Sequence, residues 1–212
     1  EVGGTVGEFQ NIMFFEAIRR MKQRFPKDVF LVHLVYLLIP PFLGEMKSKP
    51  AQESIFKLFQ LGLHPNFIVC RSQVEIDAKR KSKISFNTGV PEDHIVSAQD
   101  VDSIYKIPHL FKKQNFHRKL LKEIGLPIKK FNFEPWDNFV KSISKAKTTK
   151  KIAIVGKYIS SGNFSLEDSY VCVLEAIKHA SWKLGKNAEI VWFSAQDFED
   201  PKKFSAAKSK LL

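Results

Sequence analysis

The chain has 212 residues, is 44% hydrophobic and carries a formal net charge of +12, which suits one substantial core, or one domain with part of another, and argues for a folded protein over a disordered one. No apolar run reaches the roughly 20 residues of a membrane-spanning helix, because the longest, Val29 to Leu43, is interrupted by His33 and by Pro40-Pro41. The positive charge suits an anionic partner, but the lysines are dispersed (Lys79 to Lys83, Lys112-Lys113, Lys145 to Lys151) and not interleaved with aromatic residues, so most of them read as solvated faces.

In chain order, a glycine-rich opening (Gly3, Gly4, Gly7) leads into Phe9 to Phe25, where Ile12, Phe15, Ile18 and Met21 recur at helical spacing up to Pro26. This predicts an amphipathic helix. Val29 to Leu38 is apolar and partly β-branched apart from His33, and predicts a strand buried on both faces, as in a parallel sheet. Pro50 suits a first helical position, and Gln52 to Leu61 continues as a helix closed by Gly62. Asn66 to Cys70 then predicts a strand, Glu75 to Phe86 a charged helix stopping near Gly89, Val90 to Ser97 a strand and Ser103 to Phe111 a helix. From Pro127 to Lys150 the sequence turns basic, with Phe131, Phe133 and Trp136 before the amphipathic stretch Trp136 to Ile143, which reads as an interdomain connector containing a helix. Lys151 to Val155 predicts a fresh buried strand, Asp168 to Leu184 a helix and Glu189 to Phe193 a strand, before Lys-rich, small-residue sequence from Lys202 to Leu212. Strand and helix alternate throughout, which implies βαβ units with ligands at the carboxyl ends of the strands.

The segment Lys47-Ser48-Lys49-Pro50-Ala51-Gln52 places two ammonium groups at alternate positions, fixes the chain with a proline and follows with a side-chain amide. That is a compact site for a polyphosphate carrying a hydrogen-bonding base, although a lysine pair before a helix is more often a solvated surface. Glu1 precedes glycines whose missing side chains let backbone approach a ligand, and a carboxylate there can hold Mg²⁺ beside phosphates, or simply belong to a turn. In Asp100-Val101-Asp102-Ser103-Ile104-Tyr105, Asp100 suits capping a helix before Ser103. Cys70 and Cys172 lie in apolar runs without metal-ligand spacing, so both are expected as buried free thiols in a reducing compartment. The six histidines show no pair at metal or relay spacing.

Glu1 to Glu8, Lys47 to Gln52 and Asp100 to Tyr105, in this order and spacing, together with Val69-Cys70-Arg71-Ser72, resemble the segments Glu-Ile-Gly-Gly-Thr-Val-Gly-Asp, Lys-Thr-Lys-Pro-Thr-Gln and Asp-Val-Asp-Ser-Ile-Tyr of CTP synthases, the glutamine-dependent enzymes that aminate UTP. The resemblance implies an α/β fold: a Rossmann-like parallel sheet, part of a P-loop-type synthetase domain, over residues 1–126, here its C-terminal part. A connector at 127–150 would follow, then the beginning of a class I glutamine amidotransferase α/β domain at 151–212. It implies UTP or CTP contacts from Glu8, Phe9, Gln10, Lys47, Ser48, Lys49, Pro50, Ala51, Gln52 and Lys83. ATP contacts would come from Gln99, Asp100 and Val101, Mg²⁺ ligation from Glu1, and Arg71 would lie near the phosphates. All of these are expected to converge on one rim.

The chain departs from the family pattern at Glu8 and Gln10, which stand where Asp and Glu are usual and bear on ribose contact and product feedback, and at Ser48 and Ala51, which replace threonines, so that weaker but not absent nucleotide binding is expected. Gly156-Lys157-Tyr158, Asp168-Ser169-Tyr170, Glu175-Ala176 and His179 resemble the opening of the glutaminase domain, in which Ser160 to Leu166 would be an insert. Its catalytic cysteine, histidine and glutamate would lie beyond Leu212. Cys172 is not that nucleophile and is expected on an inward-packed helix face. The phosphate loop would precede Glu1, and no Gly-x-x-x-x-Gly-Lys-Ser/Thr pattern occurs. No catalytic residue is therefore assigned, and the chain is expected to be an inactive internal piece of a cytoplasmic enzyme. Expected partners are UTP, ATP, glutamine and CTP as feedback inhibitor, in a homotetramer, with neither membrane nor nucleic acid. The alternative is a non-catalytic basic nucleotide- or nucleic-acid-binding module that keeps the fold.

Overall fold

The structure is a computed structural model that describes residues 1–157, 160–161, 164–165 and 167–211. It divides into two units, Glu1–Lys130 and Phe131–Leu212. The segment read as a connector is thereby split, with 127–130 in the first unit and 131–150 in the second.

The first unit is organised around β2 (Phe67–Ser72), which pairs in parallel with β1 (Val32–Tyr36) on one edge and β3 (Ile95–Gln99) on the other. The order β1-β2-β3 is that of two successive βαβ units, with α2 (Lys49–Gln60) and α3 (Ala78–Thr88) as the crossovers. Alternation along β2 sends Ile68 and Cys70 to one face, where they meet Ala51 and Ile55 of α2 and Ile84 of α3. Phe67 and Val69 point the other way, onto Phe111 of α4 (Ile107–Lys113) and Phe116 and Leu120 of α5 (Phe116–Glu123). Both faces of β2 are thus covered, and all its residues but Arg71 are buried.

The apolar run expected to be buried on both faces is not. In β1 only Val35 is buried, while Val32, Leu34 and Tyr36, on its other face, are exposed. β1 is the edge of the sheet, and the cluster around Phe116 extends over β2 and β3 only. Apolarity identified the strand but not the number of covered faces. The Val90 to Ser97 expectation also shifts: Val90 is buried in a turn, Glu92–His94 form a single 3-10 turn, and pairing begins at Ile95.

Helix ends follow the sequence signals. Asp77 caps α3 by accepting from the Arg80 amide at 2.7 Å, and Gly89, at φ 71°, closes it. α1 (Ile12–Arg24) packs Phe15 against Leu58 and Leu63, around the C-terminal end of α2.

In the second unit β4 (Thr148–Gly156) and β7 (Lys186–Ser194) pair in parallel over nine residues each, with α7 (Val171–Lys183) between them in sequence. α6 (Glu134–Lys145) packs on α7. The strand expected to be buried is largely exposed: of Lys151 to Val155 only Ile152 and Ile154 are even half-buried. The buried apolar residues described in this unit are Leu174, Phe193 and Ala207, so its core is thin. β5 (Ser160–Ser161) and β6 (Phe164–Ser165) form a short antiparallel pair within the expected insert. The Lys-rich terminal sequence is helical, as α8 (Ala195–Glu199) and α9 (Pro201–Leu211), the latter opening on a proline that needs no donor there. No helix among the described residues is long and apolar enough to cross a membrane.

Candidate functional site

After β1 the chain loops out and returns at Lys47, whose amide donates to the Leu38 carbonyl at 2.8 Å and forms an isolated antiparallel bridge. This closure fixes Lys47 immediately before the first turn of α2, at the carboxyl edge of the sheet. Ser48 is buried, and its hydroxyl accepts from the Gln52 amide at 3.1 Å. Arg80 of α3 donates through Nε to the Met46 carbonyl at 3.0 Å and so ties the loop to α3.

Between these elements lies a cavity of about 180 Å³ lined by Glu45, Met46, Lys47, Ser48, Lys49, Lys79, Arg80 and Lys83. Five cationic side chains and the positive end of α2 surround one carboxylate. Lys47 Nζ reaches Glu45 Oε2 at 2.7 Å, and Arg80 Nη2 lies 3.4 Å from Glu45 Oε1. The hydrogen-bonded Lys47, with Arg80 and Lys83, holds the Glu45 carboxyl below the usual carboxylate range. The chemistry of such a set suits a phosphate, because ammonium and guanidinium groups can donate charge-assisted hydrogen bonds to its oxygens.

Of the residues singled out for UTP, the structure therefore unites Lys47, Ser48, Lys49 and Lys83. Pro50 is exposed at the start of α2, and Ala51 and Gln52 are buried beneath its first turn, where Gln52 is engaged by Ser48. Lys79 and Arg80 were read as part of a solvated run. The missed signal was their helical spacing, since Lys79 and Lys83, four apart behind the Asp77 cap, fall on one face of α3.

A second cluster occupies the same edge of the sheet. Arg71 at the end of β2 donates to Asp100 Oδ1 at 3.2 Å, and the Asp100 amide donates to the Ser72 carbonyl at 2.9 Å. Gln99 and Val101 are half-buried on either side of the exposed Asp100. Asp100 is thus occupied by Arg71, not by a helix end.

The first segment does not join this rim. Val6 is buried against Phe15, Leu58 and Leu63, and the Asn11 amide closes the turn on the Gly3 and Thr5 carbonyls at 3.1 and 2.8 Å. Gly4 sits at φ +82°, a backbone conformation strained for any other L residue, and a Cβ there would also require the Glu8 carboxylate, 2.5 Å away, to shift. Glu1, Glu8, Phe9 and Gln10 are exposed there. Leu58 is nine residues along α2 from Lys49, about 14 Å at the helical rise, so the expected convergence of all three segments is not what the first unit forms. The apolar anchor Val6 takes the segment to the far end of the helix. Among the described residues no three His, Cys, Asp or Glu side chains are grouped to hold a metal ion. Glu1 fits Mg²⁺ only as a single ligand to an ion whose other positions are filled by phosphate oxygens and water.

In the second unit the Tyr170 hydroxyl donates to the Lys157 carbonyl at 2.7 Å, and the ring of His179 packs on Phe139 at 5.2 Å. Tyr158 lies outside the described residues. Cys172 is exposed, not packed inward as expected, whereas Cys70 is buried and burial pushes its thiol up to about 12.

Residues 1–126 match the family model described as "CTP synthase N-terminus". Relatives include the CTP synthases of Sulfolobus acidocaldarius and of Hydrogenobaculum sp., each 36% identical to this chain over 94% of it, and that of Methanopyrus kandleri, 34% identical over 94%. The chain spans 36 to 37% of the length of these three relatives.

Proposed function

We propose, from the premise that this chain belongs to the CTP synthase family, that its first unit is the nucleotide-binding part of an enzyme aminating UTP to CTP with ATP and with glutamine or ammonia. The observation that carries this reading is the cavity in which Lys47, Lys49, Lys79, Arg80 and Lys83 surround the start of α2. A triphosphate brings up to four negative charges, and five cations with a helix N-terminus neutralise them at one place.

In the proposed reaction ATP phosphorylates the uracil O4, and ammonia displaces the resulting phosphate at C4, yielding CTP, ADP and phosphate. The lysines hold the UTP triphosphate, while Gln99 to Val101, steadied by the Arg71–Asp100 pair, present main chain to adenine. Mg²⁺, when bound, would neutralise charge on nucleotide phosphates; Glu1, a ligand by its place in the family segment, lies with Val6 at the other end of α2 from the lysine cavity, so an ion it held would not be the one on the UTP phosphates there. Residues 151–212 are proposed to be the start of a glutaminase domain. CTP feedback, the homotetramer and the cytoplasmic setting are proposals for the whole protein. By itself the chain is proposed to bind nucleotide without turnover, because its sequence has no Gly-x-x-x-x-Gly-Lys-Ser/Thr pattern, Cys70 is buried with its thiol pushed up to about 12, and Cys172, though exposed, has no glycine-rich nucleophile turn around it.

Calorimetric titration of UTP into the 212-residue chain tests the reading. Lys49→Ala and Lys83→Ala should each weaken binding about ten-fold, as loss of one charged contact does. Lys27→Ala, in the exposed turn after α1, should leave it unchanged. Equal affinities for all three variants would make the cavity an ordinary charged surface.

A further inference from the structure

We propose that Glu45 is a resident anion of the cavity, a built-in competitor that occupies Lys47 until a phosphate displaces it; this rests on the reading of the cavity as a polyphosphate site. Glu45 is the one acidic residue lining it. Its two oxygens engage cations from separate elements, Oε2 on Lys47 at 2.7 Å and Oε1 toward Arg80 at 3.4 Å. The Lys47 contact has the length at which a phosphate oxygen accepts from an ammonium group, while the Arg80 contact is looser. The two anions cannot share Lys47 without facing each other as like charges.

Their partners differ in freedom. Arg80 is only 20% exposed and is held by the Met46 carbonyl and by Asp77, so it cannot follow an incoming ligand. Glu45 is 60% exposed on a loop, and swinging away from Lys47 costs it one solvated ion pair while Arg80 remains beside it. Exchange at Lys47 is therefore easy, and the carboxylate stays charged at neutral pH because its neighbours favour that form. Glu45 thus lowers the affinity of the site for every anion that needs Lys47.

The test titrates UTP and, separately, inorganic tripolyphosphate into the chain and its variants. Glu45→Gln keeps the shape and removes the charge, and should tighten both ligands about two- to five-fold, the scale of an exposed ion pair, with the gain shrinking as salt is raised. Glu45→Ala should act in the same direction, which a merely structural role would not produce, since a loosened loop weakens binding. Unchanged or weaker binding by both variants, while Lys49→Ala and Lys83→Ala lose affinity, would leave the phosphate site standing and overturn the competitor. Tightening for UTP alone would place Glu45 against the base and overturn it too. If the lysine variants bind tripolyphosphate as the unaltered chain does, the nucleotide reading fails and takes this inference with it.

Discussion

Glu16 shows what a single side chain on α1 does through its neighbours. It accepts from Arg19 and Arg20, each at 2.7 Å, and these hydrogen bonds lower its carboxyl to about 2. A folded value below the unfolded one means that its contribution to stability is present above the ordinary carboxylate range, near 4.5, and is lost as pH falls toward about 2. Urea midpoints measured at pH 5 and pH 3 should therefore converge between the wild type and Glu16→Gln as the pH drops. A constant gap would mean that the ion pairs contribute nothing. The two cysteines make a second residue-scale contrast. Cys172 is exposed and Cys70 is buried with its thiol pushed up to about 12, so a thiol reagent should label Cys172 in the native chain and Cys70 only on unfolding. Rapid native labelling of Cys70 would contradict its place on the face of β2 that packs against α2.

Among the elements, α3 does the most for the candidate site, because it carries Lys79, Arg80 and Lys83 and is fixed at both ends. Asp77→Ala removes the cap bond to the Arg80 amide and the side-chain contact to Arg80, and should cost about 1 to 2 kcal/mol of stability. It should weaken tripolyphosphate binding as well, since the start of α3 presents Lys79 to the cavity. Gly89→Ala, at φ 71° with nothing within 4 Å of the added Cβ, should cost only the backbone strain, about 1 kcal/mol, and leave anion binding alone. Denaturant unfolding paired with calorimetry separates the two. Weaker binding in the glycine variant would mean that the far end of α3 matters to the site.

On the scale of the molecule, the two units differ in how much they bury. The first has three apolar clusters, while among the described residues the second has Leu174, Phe193 and Ala207 as its buried apolar residues and a two-stranded parallel sheet, which is marginal without further cover. All three tryptophans, Trp136, Trp182 and Trp192, lie in the second unit, and Cys70 lies in the first. Tryptophan fluorescence should therefore report a urea transition at lower concentration than the one that exposes Cys70 to a thiol reagent. Coincident transitions would show that the units unfold as one.

The sequence by itself determined what is local or chemically explicit. Helical spacing from Ile12 to Met21, the proline opening α2, the glycine closing α3 and the strand at Asn66 to Cys70 are each set by neighbours along the chain, and each stands in the structure. The family, too, was legible from three short segments and is shown by the match over residues 1–126. Tertiary structure decided which faces find partners. Val32 and Leu34 are apolar and uncovered because β1 is an edge strand, and Cys172 turned outward although its run reads as buried. It also decided which charges meet. Glu45, Lys47 and Arg80 are joined by the return of a loop to Leu38 and by the α2–α3 crossover, and Val6 carries Glu1 to Gln10 to the other end of α2. Periodicity reports how a segment is wound, whereas burial and ion pairing depend on sheet order and loop closure, which bring together residues that no local pattern relates.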